Sequence, residues 1–238
     1  MSPDEDVLFA AIDATWPPAR QFSEAGWTFR EGRGGGKRVS AATALGPVTE
    51  TQVTQAEERM REMNQLPLFM LRDKDASLDG LLQERAYEVV DPVQVLCSPV
   101  TALTDVPIPP VTTFTIWEPL AIMAEIWAKG GIGPARLDVM SRPSTKTAIL
   151  ARWNQKPAGV AFAAVVGDIA MVHAVEVLES QRRQGVAQWI MREAAHWAQA
   201  QNATTIAVLC TKANTPALAL YSRLGFAPAG QYHYRKLR

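Results

Sequence analysis

The 238-residue sequence predicts an α/β protein built on a mixed, mostly antiparallel sheet with helices on its faces. Three observations predict it. Strand-like runs at 147–153, 159–166 and 169–177 follow one another, with only Asn154-Gln155-Lys156-Pro157 and Gly167-Asp168 between them. Such short turns imply an antiparallel meander. After the meander, Val186, Ile190, Ala194, Trp197 and Ala198 recur at helical spacing over 184–201, so one face of that helix packs on the sheet. The chain then alternates again, with a β-rich run at 204–210, a helix at 215–223 closed by Gly225, and a last strand at 230–237.

Reading from the start, 4–15 is a helix that stops at Trp16-Pro17-Pro18. Two strands follow at 27–30 and 38–42, separated by the glycine-rich residues 32–36. Next come a polar helix at 52–64, a short apolar strand at 66–71, a helix at 77–85 and a strand at 92–97. Thr104-Asp105-Val106-Pro107-Ile108-Pro109-Pro110 interrupts regular structure, because proline fixes φ and lacks a ladder donor. The domain boundary is placed there, giving domains 1–110 and 111–238. Beyond it, 112–117 reads as a strand and 118–128 as a helix, with a break at 130–134 before a short helix near 136–140.

Lys plus Arg equals Asp plus Glu at 24 each, which excludes electrostatic capture of nucleic acid or an anionic membrane and weakly disfavours a polycationic substrate. The acidic N-terminus lacks the basic and apolar regions of a signal peptide, and no apolar run reaches membrane-spanning length. The expectation is a cytoplasmic monomer or homodimer acting on a small molecule or peptide. Cys97 and Cys210 have no Cys-x-x-Cys pairing and only three histidines to assist them. Both read as buried thiols, and no metal site is expected.

The chemistry concentrates in Arg182-Arg183-Gln184-Gly185-Val186-Ala187, a basic turn opening a helix after a strand. Gly185 lets the backbone approach an anion, the arginines add charged donors, and the helix N-terminus favours negative charge. Downstream, Asn214, Ala217, Leu220, Tyr221, Gly225 and Phe226 form a second pattern. In this order and context the two motifs resemble the GNAT superfamily of N-acetyltransferases, whose [Q/R]-x-x-G-x-[G/A] turn binds acetyl-CoA. The resemblance covers residues 112–238. It implies a GNAT-type sheet and acetyl-CoA as co-substrate, with Arg182 through Ala187 and Asn214 at the cofactor. Backbone groups of Val175 and Val177 would then lie along pantetheine, in a gap between splayed strands.

The resemblance also implies that Tyr221 is the acid that protonates the departing thiolate. An unperturbed phenol titrates near 10 and stays protonated at neutral pH. For the base, Glu176 and His173 stand level, with water as a further option. A carboxylate inside a strand calls for a cavity or a partner, and imidazole titrates in the useful range. A bulge in this strand would turn either inward. His233 is a further candidate for the acceptor pocket, although an edge-strand histidine facing solvent is the plainer reading; His196 is structural. A non-catalytic acyl-CoA-binding sensor is the rival function.

Residues 77–90 lie without gaps over 216–229, pairing Leu82 with Tyr221, Ala86 with Gly225 and Tyr87 with Phe226. This predicts a tandem of a degenerate and an intact copy. The first copy lacks the phosphate turn and carries leucine where the acid stands, so it would serve as a packing partner or pocket wall. Gly32-Arg33-Gly34-Gly35-Gly36-Lys37-Arg38 departs from a Walker loop at both ends and reads as a flexible hairpin loop.

Overall fold

The computed structural model describes residues 3–237. The first half contains α1 (Glu5–Thr15), β1 (Arg20–Glu24), β2 (Trp27–Glu31), β3 (Thr43–Ala44), α2 (Glu50–Glu62), β4 (Leu68–Arg72), α3 (Ala76–Glu84) and β5 (Tyr87–Pro99). The second contains β6 (Thr113–Ile116), α4 (Ala121–Lys129), α5 (Pro134–Ser141), β7 (Thr145–Trp153), β8 (Lys156–Val166) and β9 (Ile169–Val177). It continues through α6 (Val186–Ala200), β10 (Thr205–Thr211), α7 (Thr215–Arg223) and β11 (Ala227–Leu237). This is the mixed, mostly antiparallel sheet flanked by helices that the sequence predicts.

The predicted strand at 38–42 is instead a 3-10 turn, Lys37–Val39, and the chain extends only from Ala42 onward. β2 pairs along its length with β1, whose Arg-Gln-Phe-Ser-Glu sequence hides it, and over two residues with β3. Phe22 is its one apolar residue, stacked 5.5 Å from Phe29, and polar edge strands give little periodic signal. Ala25 and Gly26 both take positive φ, the tight-turn geometry that matches strand twist.

The main sheet has eight strands in the order β4-β11-β5-β10-β9-β8-β7-β6. Every neighbouring pair is antiparallel except β9 with β10. The chain's last strand thus lies between two strands of the first half, and β5 lies between two strands of the second. β5 is buried on both faces in the register this demands. Val93, Val95 and Cys97 enter the core beneath α1, while Leu96 enters the core beneath α6. α1 in turn covers strands of the second half, packing Leu8, Phe9, Ala11 and Ile12 with Met171, Ala207, Tyr232 and Tyr234. Fully burying one such large apolar side chain is worth about 1.5–3 kcal/mol.

α3 and α7 are each nine residues long, and each is followed by a residue of positive φ, Ala86 at 62° and Gly225 at 81°. Each turn leads into a strand, with Tyr87 and Phe226 both buried at its start. Positive φ is the common way to end a helix and is rare for alanine.

Because β10 and β11 both require β5, residues 111–238 expressed alone are expected not to unfold cooperatively as a monomer. Far-UV circular dichroism and urea titration of this fragment, alone and mixed with 1–110, check this. A cooperative transition in the isolated fragment would show that the interleaved strands are dispensable.

Candidate active site

The parallel pairing of β9 with β10 runs from Ile169–Thr205 to Val172–Val208 and then stops. Beyond it β9 stays with β8 while β10 stays with β5, so the two strands splay apart over 173–177 and 209–211. A β-bulge accompanies the divergence. Between Phe162–His173 and Val160–Glu176, β9 uses one residue more than β8, and Ala174 takes φ 52°. The indole of Trp127 on α4 donates to the Ala174 carbonyl at 2.8 Å, giving the bulged backbone a buried partner.

The bulge puts the two predicted bases on one face of the sheet, opposite α6, where their surroundings differ. Glu176 is half-buried and presses against the backbone of Gly130, where a Cβ would lie 2.7 Å from each of its carboxylate oxygens. Burial raises its pKa above the ordinary carboxylate value, opposed by the charges of Arg182 and Arg136. His173 is enclosed, with 4% of its surface exposed. Thr15 donates to the Ala11 carbonyl at 2.6 Å, so its oxygen accepts from His173 Nε2 at 3.0 Å. Arg38 donates to Nδ1 at 3.0 Å. The ring packs between Trp16, at 5.1 Å, and Phe162, at 6.2 Å. Burial, then the Arg38 charge, pushes its pKa well below the imidazole range, so it is neutral with both nitrogens engaged.

The turn after β9 is drawn together by Arg182, whose Nε donates to the Val177 carbonyl at 3.1 Å, and by Gln184, which donates to the Ser180 carbonyl at 3.2 Å. Arg183 and Gly185 both take positive φ, at 64° and 82°, and Val186 then starts α6. The N–H groups of Val186 and Ala187 are among those an α-helix leaves without intrahelical partners at its N-terminus. Val175 and Val177 are half-buried where the strands diverge, packed against the core beneath α6. Asn214 caps α7 by accepting from Ala217 N at 3.2 Å, so its side-chain oxygen is spent on the fold. Tyr221 is buried to 6% exposure beside Phe226, in the same core as Cys210. Burial chiefly, and Cys210 next, raise the phenol's pKa, so it remains a proton donor across the neutral range. Both cysteines are buried thiols.

His233 is not on an edge: β11 lies between β4 and β5, and His233 Nε2 meets Asp79 at 2.8 Å beside Arg235. The glycine loop does not join two strands and is not loose. Gly32 N donates to Gln65 at 2.7 Å, and a Cβ on Gly35 would lie 2.6 Å from Val139 of α5. Trp127, Gly130, Arg136, Arg38 and Thr15 carry no motif that marks them for this site. The Gly130-Gly131 pair was the one local signal; the others join the site through tertiary contacts. Among the described residues there is no cluster suited to a metal ion, and no helix is long and apolar enough to cross a membrane.

Residues 117–226 match the acetyltransferase (GNAT) family. Across 236 residues the chain is 24% identical to an uncharacterized N-acetyltransferase of Bacillus subtilis, YobR, covering 93% of this chain and 94% of that protein. A GCN5-related N-acetyltransferase from Kribbella flavida has the same fold, with a TM-score of 0.74 at 20% identity over 99% of this chain and 96% of that one. A tandem GNAT protein from the clavulanic acid biosynthesis pathway superposes with a TM-score of 0.59 at 12% identity, covering 88% of this chain and 76% of that one. The chain is an acyltransferase, and residues 117–226 are its GNAT acetyltransferase domain.

Gly130→Ala is expected to displace the Glu176 carboxylate and lower kcat/KM about 10- to 100-fold, the scale on which a misplaced catalytic group costs rate. Acetyl-CoA affinity, measured by calorimetry, should change little.

Proposed function

We propose that the chain transfers the acetyl group of acetyl-CoA directly to a primary amine of a small molecule or peptide. The observation that carries this reading is the gap between β9 and β10, which adjoins the N-terminus of α6 on one side and Glu176 on the other. The turn from Arg182 to Ala187 would hold the pyrophosphate, and backbone groups of Val175 and Val177 the pantetheine amides. Asn214 acts through the placement of α7.

Of the two bases, Glu176 is the one we assign. His173 has both nitrogens occupied and a depressed pKa, so it is a positioning residue for the bulge. Glu176 accepts a proton from the acceptor's ammonium group, and the freed amine forms the new C–N bond at the thioester carbonyl. As the C–S bond breaks, the Tyr221 hydroxyl gives its proton to sulfur. The proton remaining on nitrogen returns to the phenolate, and Glu176 releases its own to solvent. Neither cysteine is needed as a nucleophile, and burial raises the pKa of Cys210 away from thiolate chemistry.

We also propose that residues 1–110 are a degenerate GNAT-like copy and 111–238 the catalytic one. The matched α3 and α7 turns support this, as does the absence of a [Q/R]-x-x-G-x-[G/A] turn from the first half.

Thiol release from acetyl-CoA with a panel of amines tests the proposal. Tight acetyl-CoA binding with no release for any amine would make the protein a sensor instead. Tyr221→Phe should lower kcat about 100-fold, within the range for a lost general acid, and leave cofactor affinity nearly intact. Unchanged turnover would remove Tyr221 from the mechanism. As a base, Glu176 works only when ionised, and burial raises its pKa. The rate should therefore fall with decreasing pH at a point above the ordinary carboxylate range, and Glu176→Gln should abolish that limb of the profile.

A further inference from the structure

α5 and the loop at 32–36 lie on the face of the sheet opposite α6, where Val39 and Val139 share a core with Phe162. Arg136 projects from α5 there, half-buried, against the backbone of Gly36. A Cβ on Gly36 would stand in ordinary van der Waals contact, 3.4 Å from Nε and 3.5 Å from Nη2 of this guanidinium, so it is the φ of 103° that favours glycine there. Among the described residues the Arg136 side chain makes no hydrogen bond and no ion pair. Glu176 makes none either, although Arg136 is close enough for its charge to act on the carboxylate.

Other arginines at least as buried are committed. Arg142 binds Asp138 and the Pro17 carbonyl, and Arg192 binds Asp105 and the Leu103 carbonyl. A half-buried guanidinium with five donors and no acceptor is costly unless something supplies one. Here one residue from each half of the chain borders the two charges: Gly130 makes room for the carboxylate, and the backbone of Gly36 lies in contact with the guanidinium.

We propose that the acceptor is a zwitterionic amine, its ammonium group directed to Glu176 and a carboxylate of the same molecule to Arg136. This rests on the acetyltransferase reading above and names the substrate class for that site. A planar guanidinium suits a carboxylate because two parallel N–H···O bonds fix its orientation. The first half of the chain thereby selects substrate, since its Gly32–Gly36 loop sets where the guanidinium stands.

The test compares alanine, leucine, phenylalanine and glutamine, each beside its own amide, in thiol release from acetyl-CoA. The free acids should exceed their amides about 10- to 100-fold in kcat/KM for at least one pair, chiefly through KM, as expected for a charge-assisted bidentate contact. In Arg136→Gln that acid-to-amide ratio should collapse to near one, and in Arg136→Lys it should be reduced but remain above one. The ratio is internal to each variant and independent of how much protein is folded. Calorimetric titration of the preferred amino acid into the CoA-loaded protein should show binding in the wild type and none in Arg136→Gln. Amides acetylated as well as acids, or a ratio that survives Arg136→Gln, would overturn the assignment of Arg136 while leaving acetyl transfer standing. No release with any amine, despite acetyl-CoA binding, would overturn the transferase reading itself.

Discussion

β11 is an interior strand only because β4 and β5, far earlier in the chain, lie on either side of it. β5 reaches β10 by the same logic. Each interior strand must satisfy backbone N–H and C=O groups on both edges, and an unpaired group in a dry core costs about as much as a lost hydrogen bond. The eight-stranded sheet meets that demand by alternating strands from the two halves, β4 and β5 from the first with β11 and β10 from the second. The first half is therefore part of the sheet that carries the site. α1 extends the dependence by burying its apolar face on β9, β10 and β11.

The site inherits this construction. His173, on a strand of the second half, is wedged by Thr15, Trp16 and Arg38 from the first. With its nitrogens filled, its neutral ring fixes one side of the bulge at Ala174, while Trp127 binds the bulge carbonyl from α4. Val172, Val175 and Val177 face the core beneath α6, so the extra residue at Ala174 leaves His173 and Glu176 together on the opposite face. Their neighbours then differ, with His173 enclosed by Trp16 and Phe162 and Glu176 half-buried beside Gly130.

Charge is used sparingly in that region. Many arginines near the surface pair with carboxylates, as Arg59 does with Glu24 and Glu62, and such exposed pairs contribute little stability. Glu176 and Arg136 stand apart from this network, without ion pairs of their own among the described residues. The missing Cβ at Gly130 leaves room for the carboxylate, and the proposed roles of both groups rest on their standing unpaired on one face of the sheet.

Much of the second half is legible from sequence, because its signals are local. The bounds of β9 and α7 follow from apolar periodicity and turn residues, and the motif from Arg182 to Ala187 lies where a strand gives way to a helix. In the first half, β1 is hidden by its polar sequence and 38–42 imitates a strand, since what holds that segment is packing against α5 and Gln65, not its own pattern. Sequence alone left Glu176 and His173 level as bases, placed His233 on an edge and read the glycine loop as flexible. Those three judgements depended on neighbours remote in the chain. Tertiary structure decided them, because strand order, the bulge and the pairing of buried polar groups are set by what approaches from the other half. The sequence by itself determined the family resemblance, the turn from Arg182 to Ala187 and the helix carrying Tyr221, whose geometry is completed within a few residues; only the folded chain determined what surrounds Glu176, His173 and Arg136.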